Sequence, residues 1–173
     1  MTDKKENILL AALELFANEG FNTTPTSKIA KKAGVSEGLI FRHFENKKGL
    51  LKAIMADAEA RIREFYSPII FEEDPKRVIR RMIELPFEIS HEGLDFWKLQ
   101  FKLKWEAEYN NPEKIKPLLD KLTWAFEKRG YESPEQEAEM LNQILEILSI
   151  SLLRDGKVLD PSYRDFLLKK YKV

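Results

Sequence analysis

The sequence predicts an all-α protein, with an N-terminal three-helix helix-turn-helix head followed by a C-terminal helical bundle and about nine helices in total. Apolar residues recur at helical spacing, and no segment shows sustained alternation of period two. Glycines follow several periodic segments, and glycine commonly ends a helix. A polar residue followed by proline (an X-Pro pair) precedes other segments, and proline is favoured at the first position of a helix. We predict two domains from these boundaries, residues 1–48 and residues 49–173.

Caps and stops divide the head. Thr24-Pro25 is expected to begin the second helix, because threonine caps well and proline suits the first helical position. Gly34 is expected to end that helix, and Ser36 and Asn46 to cap the third and fourth. In chain order we predict helices over about 3–18, 25–33, 37–44 and 47–66, the last ending before Ser67-Pro68.

X-Pro pairs mark the starts of helices in the C-terminal body. Four helices are predicted to begin at such pairs, namely Asp74-Pro75, Asn111-Pro112, Ser133-Pro134 and Asp160-Pro161. Pro86 is expected to kink the first of these helices. We predict body helices over about 75–85, 94–109, 112–129, 134–153 and 161–171.

Positive charge is concentrated in one part of the chain. The 173 residues carry no net formal charge. Residues 20–55 nevertheless contain seven basic and two acidic side chains, a net charge of +5, so the remainder carries −5. A basic patch on an acidic body is typical of a protein that binds a polyanion at one place. A solvated lysine-rich face would have the same composition.

The composition excludes several classes of protein. The chain has no cysteine, which excludes disulfides, zinc fingers and thiol nucleophiles. It has two histidines and no glycine-rich phosphate loop, and a ferritin-like metal site would need Glu-x-x-His pairs on two helices, whereas His43 is in no such pair, so we expect no enzyme, metal or cofactor. No apolar run approaches the ~18 residues that span a bilayer, and the charged N-terminus is unlike a signal peptide. We expect a soluble, cytoplasmic protein with no membrane partner.

The second and third helices have the features of a helix-turn-helix. Gly34 supplies the positive φ that the turn needs, and Ala30 is small where the two helices cross. Ile29, Val35 and Ile40 are apolar where the pair buries its inner face. An ordinary helical hairpin could share one of these features, but their combination favours a helix that docks in the DNA major groove.

Matching positions in this region carry a family resemblance. They are Gly20-Phe21, Thr24, Ile29-Ala30, Ala33-Gly34-Val35-Ser36, Gly38, Phe41, His43-Phe44, Lys47 and Leu50-Leu51. With these residues in register, the segment over about 5–55 resembles the N-terminal domain of the TetR family of repressors. The chain departs from the family's usual tyrosine at Phe41 and from its frequent threonine or serine at Leu39. The resemblance implies a dimer that binds operator DNA and releases it when a small molecule fills the body.

The resemblance also implies DNA contacts for individual side chains. Lys47, Thr24 and Thr26 would bind phosphates at the starts of the fourth and second helices. His43 would donate a hydrogen bond to an oxygen of the DNA backbone. The alternative is that His43 is a packed or capping histidine. The recognition surface would comprise Ser27, Ser36, Glu37, Gly38, Leu39, Phe41 and Arg42. Arg42 would pair with a guanine or else reach a phosphate, and Lys28, Lys31 and Lys32 are interpreted as steering charges.

The long helix near the C-terminus is predicted to pair two copies of the chain. It is apolar over more than one face, so it needs partners on two sides. The final helix is expected to complete a four-helix seam. The predicted dimer contacts are Met140, Leu141, Ile144, Leu148, Leu152 and Phe166. A fully buried monomer core is the alternative.

Large aromatic side chains in the central body suggest a ligand site. The predicted ligand-binding residues are Met82, Pro86, Phe87, Trp97, Phe101, Trp105 and Trp124. Aromatic-lined cavities open between bundle helices, but an aromatic stripe also suits a plain core. The expected effector is apolar or aromatic, and it would displace the fourth helix and change the separation of two heads. An activator, or an architectural helical protein without operator specificity, is the alternative function.

Overall fold

The computed structural model describes residues 4–89, 93–103 and 112–173 of the chain. Within these residues the chain forms nine α-helices and no β-strand, which confirms the predicted fold class. In chain order the helices are α1 (Lys4–Glu19), α2 (Thr26–Ala33), α3 (Glu37–Phe44), α4 (Lys47–Ile70), α5 (Pro75–Glu84), α6 (Leu94–Leu103), α7 (Lys116–Lys128), α8 (Pro134–Asp155) and α9 (Pro161–Tyr171). One-turn 3₁₀ helices lie at Leu85–Phe87 and Pro112–Lys114.

The described residues pack into two compact units. Unit 1 is drawn from Met1–Arg63 and Glu92–Asn110, and unit 2 from Glu64–His91 and Asn111–Val173. Helix α6 therefore packs with the N-terminal helices, although part of unit 2 precedes it in the chain. The functional boundary that we predict after residue 48 falls within unit 1 and stays a prediction.

Unit 1 is built around α1. The inner face of α1 carries Ile8, Ala12 and Phe16, which are fully buried, and α2 and α6 pack against this helix. From α6, Leu99 and Leu103 join the same core cluster. Burying a large apolar side chain stabilises a fold by roughly 1.5–3 kcal/mol, so apolar contacts fix α6 to the head.

Polar contacts at the C-terminal end of α1 hold α6 as well. The Asn18 side chain donates to Asp95 Oδ1 at 3.3 Å and accepts from Lys98 Nζ at 3.3 Å. Lys102 Nζ donates to the Asn18 backbone carbonyl at 3.2 Å. The last carbonyls of a helix have no intrahelical partner and attract cations, so Lys102 of α6 satisfies one carbonyl at this end of α1.

Unit 2 has its own core, formed by α5, α7, α8 and α9. Ile83 of α5, Leu122 of α7 and Leu141 of α8 are fully buried in it. Tyr171 of α9 completes the cluster, with its ring centroid 5.4 Å from that of Phe126. Burial raises the pKa of Tyr171 to about 12, as does the neighbouring Glu137 carboxylate to a smaller extent.

Helices α5 and α9 begin at aspartate caps, as their Asp-Pro pairs predict. Asp74 accepts a hydrogen bond from the Lys76 amide at 2.9 Å, and Asp160 accepts one from the Ser162 amide at 2.9 Å. Backbone N–H groups that donate to a carboxylate favour its charged form. These bonds therefore lower the pKa of Asp74 and of Asp160.

Helix α4 is longer than the sequence predicts. It passes through Pro68, where we expected it to end, and continues to Ile70. The Phe71 amide still donates to the Ser67 carbonyl at 3.0 Å, so helical hydrogen bonding resumes beyond the proline. Ile69 is only 1% exposed. The prediction was wrong because burial of Ile69 favours continuation of the helix more than the missing proline donor opposes it.

The start of α2 and the capping of α3 also differ from the prediction. Pro25 lies in the extended N-cap position, with φ −77° and ψ 151°, and α2 begins one residue later. Thr24 does not cap α2, because its hydroxyl donates to the Gly20 carbonyl at 2.8 Å. Ser36 occupies the N-cap of α3, but its side chain makes no capping hydrogen bond.

In the body, two proline positions form 3₁₀ turns. Pro86 lies in the 3₁₀ turn that follows α5, and Pro112 lies in another before α7, which begins at Lys116. A proline at the start of a short turn loses no helical hydrogen bond, because its N–H would have had no partner there. The predicted continuation of α6 beyond residue 103 lies outside the described residues.

Candidate nucleic-acid interface

The turn between α2 and α3 has the geometry that the sequence predicts. Gly34 adopts φ 67° and ψ 35°, the left-handed region that glycine enters without steric cost. The Val35 amide donates to the Ala30 carbonyl at 3.0 Å, which is the 6→1 hydrogen bond of a Schellman motif. Ile29 and Ile40 are fully buried. The turn and both helices are thereby fixed on the unit 1 core.

Most of the predicted DNA contacts reach solvent. The exposed ones are Ser27, Ser36, Gly38, Phe41, Arg42 and His43. The half-buried ones are Thr26, Glu37, Leu39 and Lys47, and Thr24 is fully buried. Phe41 is 43% exposed, so its ring is available to a base or a sugar.

Thr24 is placed differently from the expectation. Its hydroxyl donates to the Gly20 carbonyl and its amide donates to the Phe21 carbonyl, at 2.8 Å and 3.4 Å. Both donors therefore have partners within the loop that joins α1 to α2. With its side chain buried, Thr24 stabilises this loop and offers no hydroxyl to a phosphate.

Thr26 and Glu37 are bonded to one another. The Thr26 hydroxyl donates to Glu37 Oε1 at 2.5 Å, and so links α2 to α3. Hydrogen bonds to a charged acceptor are stronger than neutral ones. No other described residue donates to this carboxylate, so its second oxygen can accept from an outside donor. The structure therefore holds Glu37 in one orientation at the start of α3.

Lys47 closes the loop between α1 and α2. Its Nζ donates to the carbonyls of Phe21, Asn22 and Thr24 at 2.9, 3.3 and 3.1 Å. It also lies 4.7 Å from the centroid of the Phe21 ring. An ammonium group has three N–H donors, and here all three have acceptors. The side chain predicted to bind phosphate instead orders backbone in this structure.

The corner between α3 and α4 places Lys47. Glu45 has φ 65° and ψ −49°, and the Asn46 amide donates to the Phe44 carbonyl at 2.7 Å, which makes a strained γ-turn. Asn46 caps α4 as predicted, because its side chain accepts from the Gly49 amide at 2.9 Å. A Cβ on Gly49 would lie 2.0 Å from the Phe44 carbonyl oxygen. Sequence reasoning missed this glycine, since the contact depends on how sharply the corner turns.

A concave surface of about 490 Å³ lies at the helix-turn-helix. Its charged lining comprises Lys4 from the first turn of α1, Lys31 from the last turn of α2, and Arg42 of α3. Gly34 and Gly38 leave it open along the backbone, and none of the lining residues that the structure describes is acidic. Sequence reasoning missed Lys4, because only the fold brings the start of α1 to the recognition turn.

The three lysines of α2 differ in their partners. Lys28 forms an ion pair with Glu19 at 2.6 Å, and Lys32 forms one with Glu14 at 2.8 Å. Both pairs join α2 to α1. Lys31, which lies between them in the sequence, has no ion-pair partner among the described residues. The fold therefore neutralises two of the three charges that we interpreted as steering charges.

The predicted ligand-binding side chains fall in both units. In unit 1 they are Trp97 and Phe101, which are half-buried on α6. In unit 2 they are Met82 and Pro86, which are buried, and Phe87 and Trp124, which are half-buried. Met82 belongs to the unit 2 core cluster, which is the packing alternative. Trp105 lies outside the described residues, and the ligand site stays a prediction.

Helices α8 and α9 expose part of the predicted dimer surface. Met140 and Phe166 are 54% and 63% exposed. Ile144 and Leu148 are half-buried. Leu141 and Leu152 are buried within the chain, so these two side chains have little surface to offer a second copy. Ile147 and Tyr163 are exposed and extend the apolar surface.

Neither a metal site nor a membrane span has a candidate in the described part of the chain. No group of three or more His, Cys, Asp or Glu side chains there could hold a metal ion. No helix there is both long and apolar enough to cross a bilayer.

Comparison with known proteins agrees with this geometry. Residues 8–54 match the family model described as "Bacterial regulatory proteins, tetR family". The HTH-type transcriptional regulator YdgC of Bacillus subtilis is 27% identical over 169 residues, which cover 92% of this chain and 86% of the relative. The HTH-type transcriptional regulator UidR of Escherichia coli K12 is 26% identical over 162 residues, 87% of this chain and 80% of the relative.

Solved structures share the fold along the whole chain. A regulator from Saccharomonospora viridis, solved in complex with choline, has a TM-score of 0.76 at 19% identity and covers 99% of this chain and 97% of its own. FadR of Bacillus subtilis, solved in complex with stearoyl-CoA, has a TM-score of 0.65 at 20% identity and covers 96% of each chain. At these identities the similarity concerns the fold.

Proposed function

We propose that this chain is a transcriptional regulator of the TetR family, a homodimeric repressor acting in the cytoplasm. In this function α3 docks in the major groove of a palindromic operator, and a small apolar or aromatic molecule releases the complex. The observation that carries the DNA-binding part is the α2–turn–α3 surface, where Phe41 and Arg42 are exposed beside a concave surface lined by cations.

Base reading is assigned to the exposed face of α3. Arg42 pairs with guanine O6 and N7, a contact worth about 1–3 kcal/mol of discrimination against other bases. Glu37, held by Thr26, accepts from the amino group of a cytosine. Phe41 contacts a thymine methyl. Gly38 has no Cβ, and the space around its position is open, so the backbone of α3 can approach the base edges closely.

Contacts with the sugar–phosphate backbone flank this face. Ser27 and His43 are exposed donors at the edges of the motif, and phosphate contacts from such residues set the register of a protein on the duplex. Lys47 and Thr24 act indirectly, because they order the α1–α2 loop that leads into α2. We therefore assign Lys47 a structural role in place of the phosphate contact that the family resemblance implies.

The second head is supplied by a second copy of the chain. Met140, Ile144, Ile147 and Leu148 recur at helical spacing on α8, and Phe166 of α9 adds an exposed aromatic ring. Apolar surface removed from water contributes about 25 cal/mol per Å², which favours pairing of two such surfaces. An identical partner also suits a palindromic operator, because a two-fold protein matches two-fold DNA.

Release by an effector is assigned to α6. Trp97 and Phe101 are spaced four residues apart, so they share one face of this helix. Leu99 and Leu103 of α6 belong to the core cluster of the head. A ligand that binds against Trp97 and Phe101 can therefore move α6 and, with it, α1. Solved proteins of this fold bind choline and stearoyl-CoA, and the aromatic character of this face favours an apolar or aromatic ligand here.

Selection of bound sequences from a random pool of DNA duplexes tests the proposal. The full-length protein is expected to select an inverted repeat, because two identical heads read two half-sites. Arg42→Ala should relax the preference at one position in each half-site, whereas Arg80→Ala, on α5 of unit 2, should leave the selected site unchanged. Selection of no inverted repeat at moderate ionic strength would contradict the proposal and favour an architectural protein.

A further inference from the structure

The concave surface at the helix-turn-helix brings three cations together. Lys4, Lys31 and Arg42 come from three different helices and line the same surface. All three side chains are exposed. None of them has an ion-pair partner among the described residues. Because no acidic side chain among the described residues lines the surface, these charges repel one another until an anion enters.

The neighbouring cations show that lacking an ion-pair partner is not a general property of the basic side chains in the N-terminal helices. Lys28 and Lys32 are paired with Glu19 and Glu14. On the same helix, Lys31 lines the concave surface and has no carboxylate partner in the part of the chain that the structure describes. The fold thus separates the lysines of α2 into two that join helices and one that faces an open anion-accessible surface.

The lining also argues against an apolar effector at this place. It contains no aromatic side chain, and its apolar members are small or half-buried, namely Ala30, Val35 and Leu39. Small-molecule sites are lined mainly by hydrophobic and aromatic side chains. Flexible lysines around exposed backbone glycines are instead suited to a phosphate group, which needs charge but little shape recognition.

We propose that Lys4 and Lys31 together hold one phosphodiester of the operator backbone at this concave surface, beside the base contacts of α3. The inference rests on the proposed DNA-binding function and adds to it two contact residues on α1 and α2. Arg42 stays directed to the bases, and its charge strengthens the attraction of the same strand. Lys31 is then a fixed contact, in contrast to the steering role that the sequence suggested.

Salt dependence distinguishes a fixed phosphate contact from general attraction. Each phosphate that a protein neutralises adds about 0.9 to the slope of log affinity against log salt concentration. If Lys4 and Lys31 share one phosphate, removing both side-chain charges should make that slope shallower by about 0.9. Between 50 and 200 mM salt, the affinity of the wild type would then fall about 3.5-fold more than that of the variant.

The test compares two doubly substituted full-length proteins with the wild type. Lys4→Gln with Lys31→Gln removes the two proposed contacts, and Lys28→Gln with Lys32→Gln removes two charges of the same motif that are already paired. Binding to the selected operator and to a random duplex is measured by fluorescence anisotropy over a range of potassium chloride concentrations. Thermal unfolding checks that each variant is folded.

The expected result is a shallower slope on both duplexes for the first variant, with the preference for operator over random DNA retained. The paired-lysine control should keep most of the wild-type slope. Equal slopes for the two variants would overturn the inference while leaving the proposed function intact. A wild type that binds no duplex would overturn both. Millimolar inorganic phosphate is also added at constant ionic strength. If it competes with DNA for the wild type but not for the first variant, the surface binds a free anion, and the inference is overturned.

Discussion

The hydroxyl of Thr26, the first residue of α2, donates a hydrogen bond to the carboxylate of Glu37, the first residue of α3. The two helices are thus joined by side chains at their N-terminal ends as well as through the backbone turn. Because Glu37 belongs to the proposed base-reading face, this bond sets the direction in which its carboxylate accepts a base amino group. Thr26 is therefore a positioning residue for base recognition.

Thr26→Val should weaken base discrimination and lower the free energy of unfolding modestly. Valine keeps the branched shape but lacks the donor, so Glu37 loses its fixed orientation, at a cost of about 1.5–3 kcal/mol for a hydrogen bond to a charged group. Binding is measured on operator duplexes substituted at each position in turn. Thr26→Ser keeps the hydroxyl and should retain the wild-type preference. An unchanged preference in Thr26→Val would refute the positioning role.

Gly38→Ala should stabilise the free protein and weaken operator binding. Nothing lies within 4 Å of the Cβ position, and alanine is favoured over glycine in a helix by up to about 1 kcal/mol. The added methyl group would separate α3 from the base edges. Urea unfolding and operator titration measure the two effects.

Gly49→Ala is the matched comparison for that substitution. Its Cβ would meet the Phe44 carbonyl oxygen at 2.0 Å, so the corner between α3 and α4 must shift. Overpacking of this kind costs about 1–3 kcal/mol. Gly49→Ala is thus expected to lower the free energy of unfolding, in the opposite direction to Gly38→Ala. A stabilised Gly49→Ala protein would contradict the tight corner.

Lys47→Met should destabilise the protein even without DNA. The variant leaves the carbonyls of Phe21, Asn22 and Thr24 without their shared donor, and hydrogen bonds to a charged group contribute about 1.5–3 kcal/mol. Urea unfolding measures the loss of stability, and amide hydrogen exchange of residues 20–24 should accelerate. Lys52→Met, an exposed lysine on the same helix, should change neither. Equal stability of the two variants would return Lys47 to a purely DNA-contacting role.

Acid should destabilise unit 2 through its helix caps. Backbone amides lower the pKa of Asp74 and Asp160 in the folded protein, whereas both carboxyls have an ordinary pKa of about 3.9 in the unfolded chain. A carboxyl group whose pKa is lower in the folded protein stabilises the fold at pH values above its pKa in the unfolded chain. This contribution is lost as the pH falls through the pKa of the group in the folded protein.

Asparagine substitutions test these caps. Asn caps a helix about as well as Asp but does not titrate, so the melting temperature of Asp74→Asn with Asp160→Asn should fall less between about pH 5 and pH 2 than that of the wild type. Asp120→Asn, which removes an exposed carboxylate inside α7, should behave as the wild type. Identical dependence of the melting temperature on pH in all three proteins would rule out the caps as the source of the loss of stability in acid.

Phe166→Glu should convert the proposed dimer to a monomer. The ring is 63% exposed on α9, and burying an unpaired carboxylate in an interface costs more than the interface gains there. Sedimentation velocity measures the oligomeric state, and operator affinity should fall with it because the two heads are no longer joined. Lys169→Glu, an exposed substitution on the same helix, should remain dimeric. A dimeric Phe166→Glu protein would place the seam elsewhere.

Local chemistry made most of the fold readable from the sequence. Glycine at Gly34, the Asp-Pro pairs before α5 and α9, and Asn46 before α4 act within one helical turn, so their effects hold in any tertiary setting. Pro68 is one exception, because Ile69 beside it is buried in the unit 2 core. There the free energy of packing outweighs a local rule.

The roles of charged and apolar side chains depended on partners far away in the sequence. Lys47 meets carbonyls more than twenty residues earlier, and Lys4 meets the recognition turn only after α1 has packed on α2. The sequence by itself determined the all-helical fold, most of the helix boundaries and the segment that forms the helix-turn-helix. Only the tertiary structure decided which cations are already neutralised and which, like Lys31, face solvent, because ion pairing falls off over a few ångströms and is set by what lies opposite each side chain.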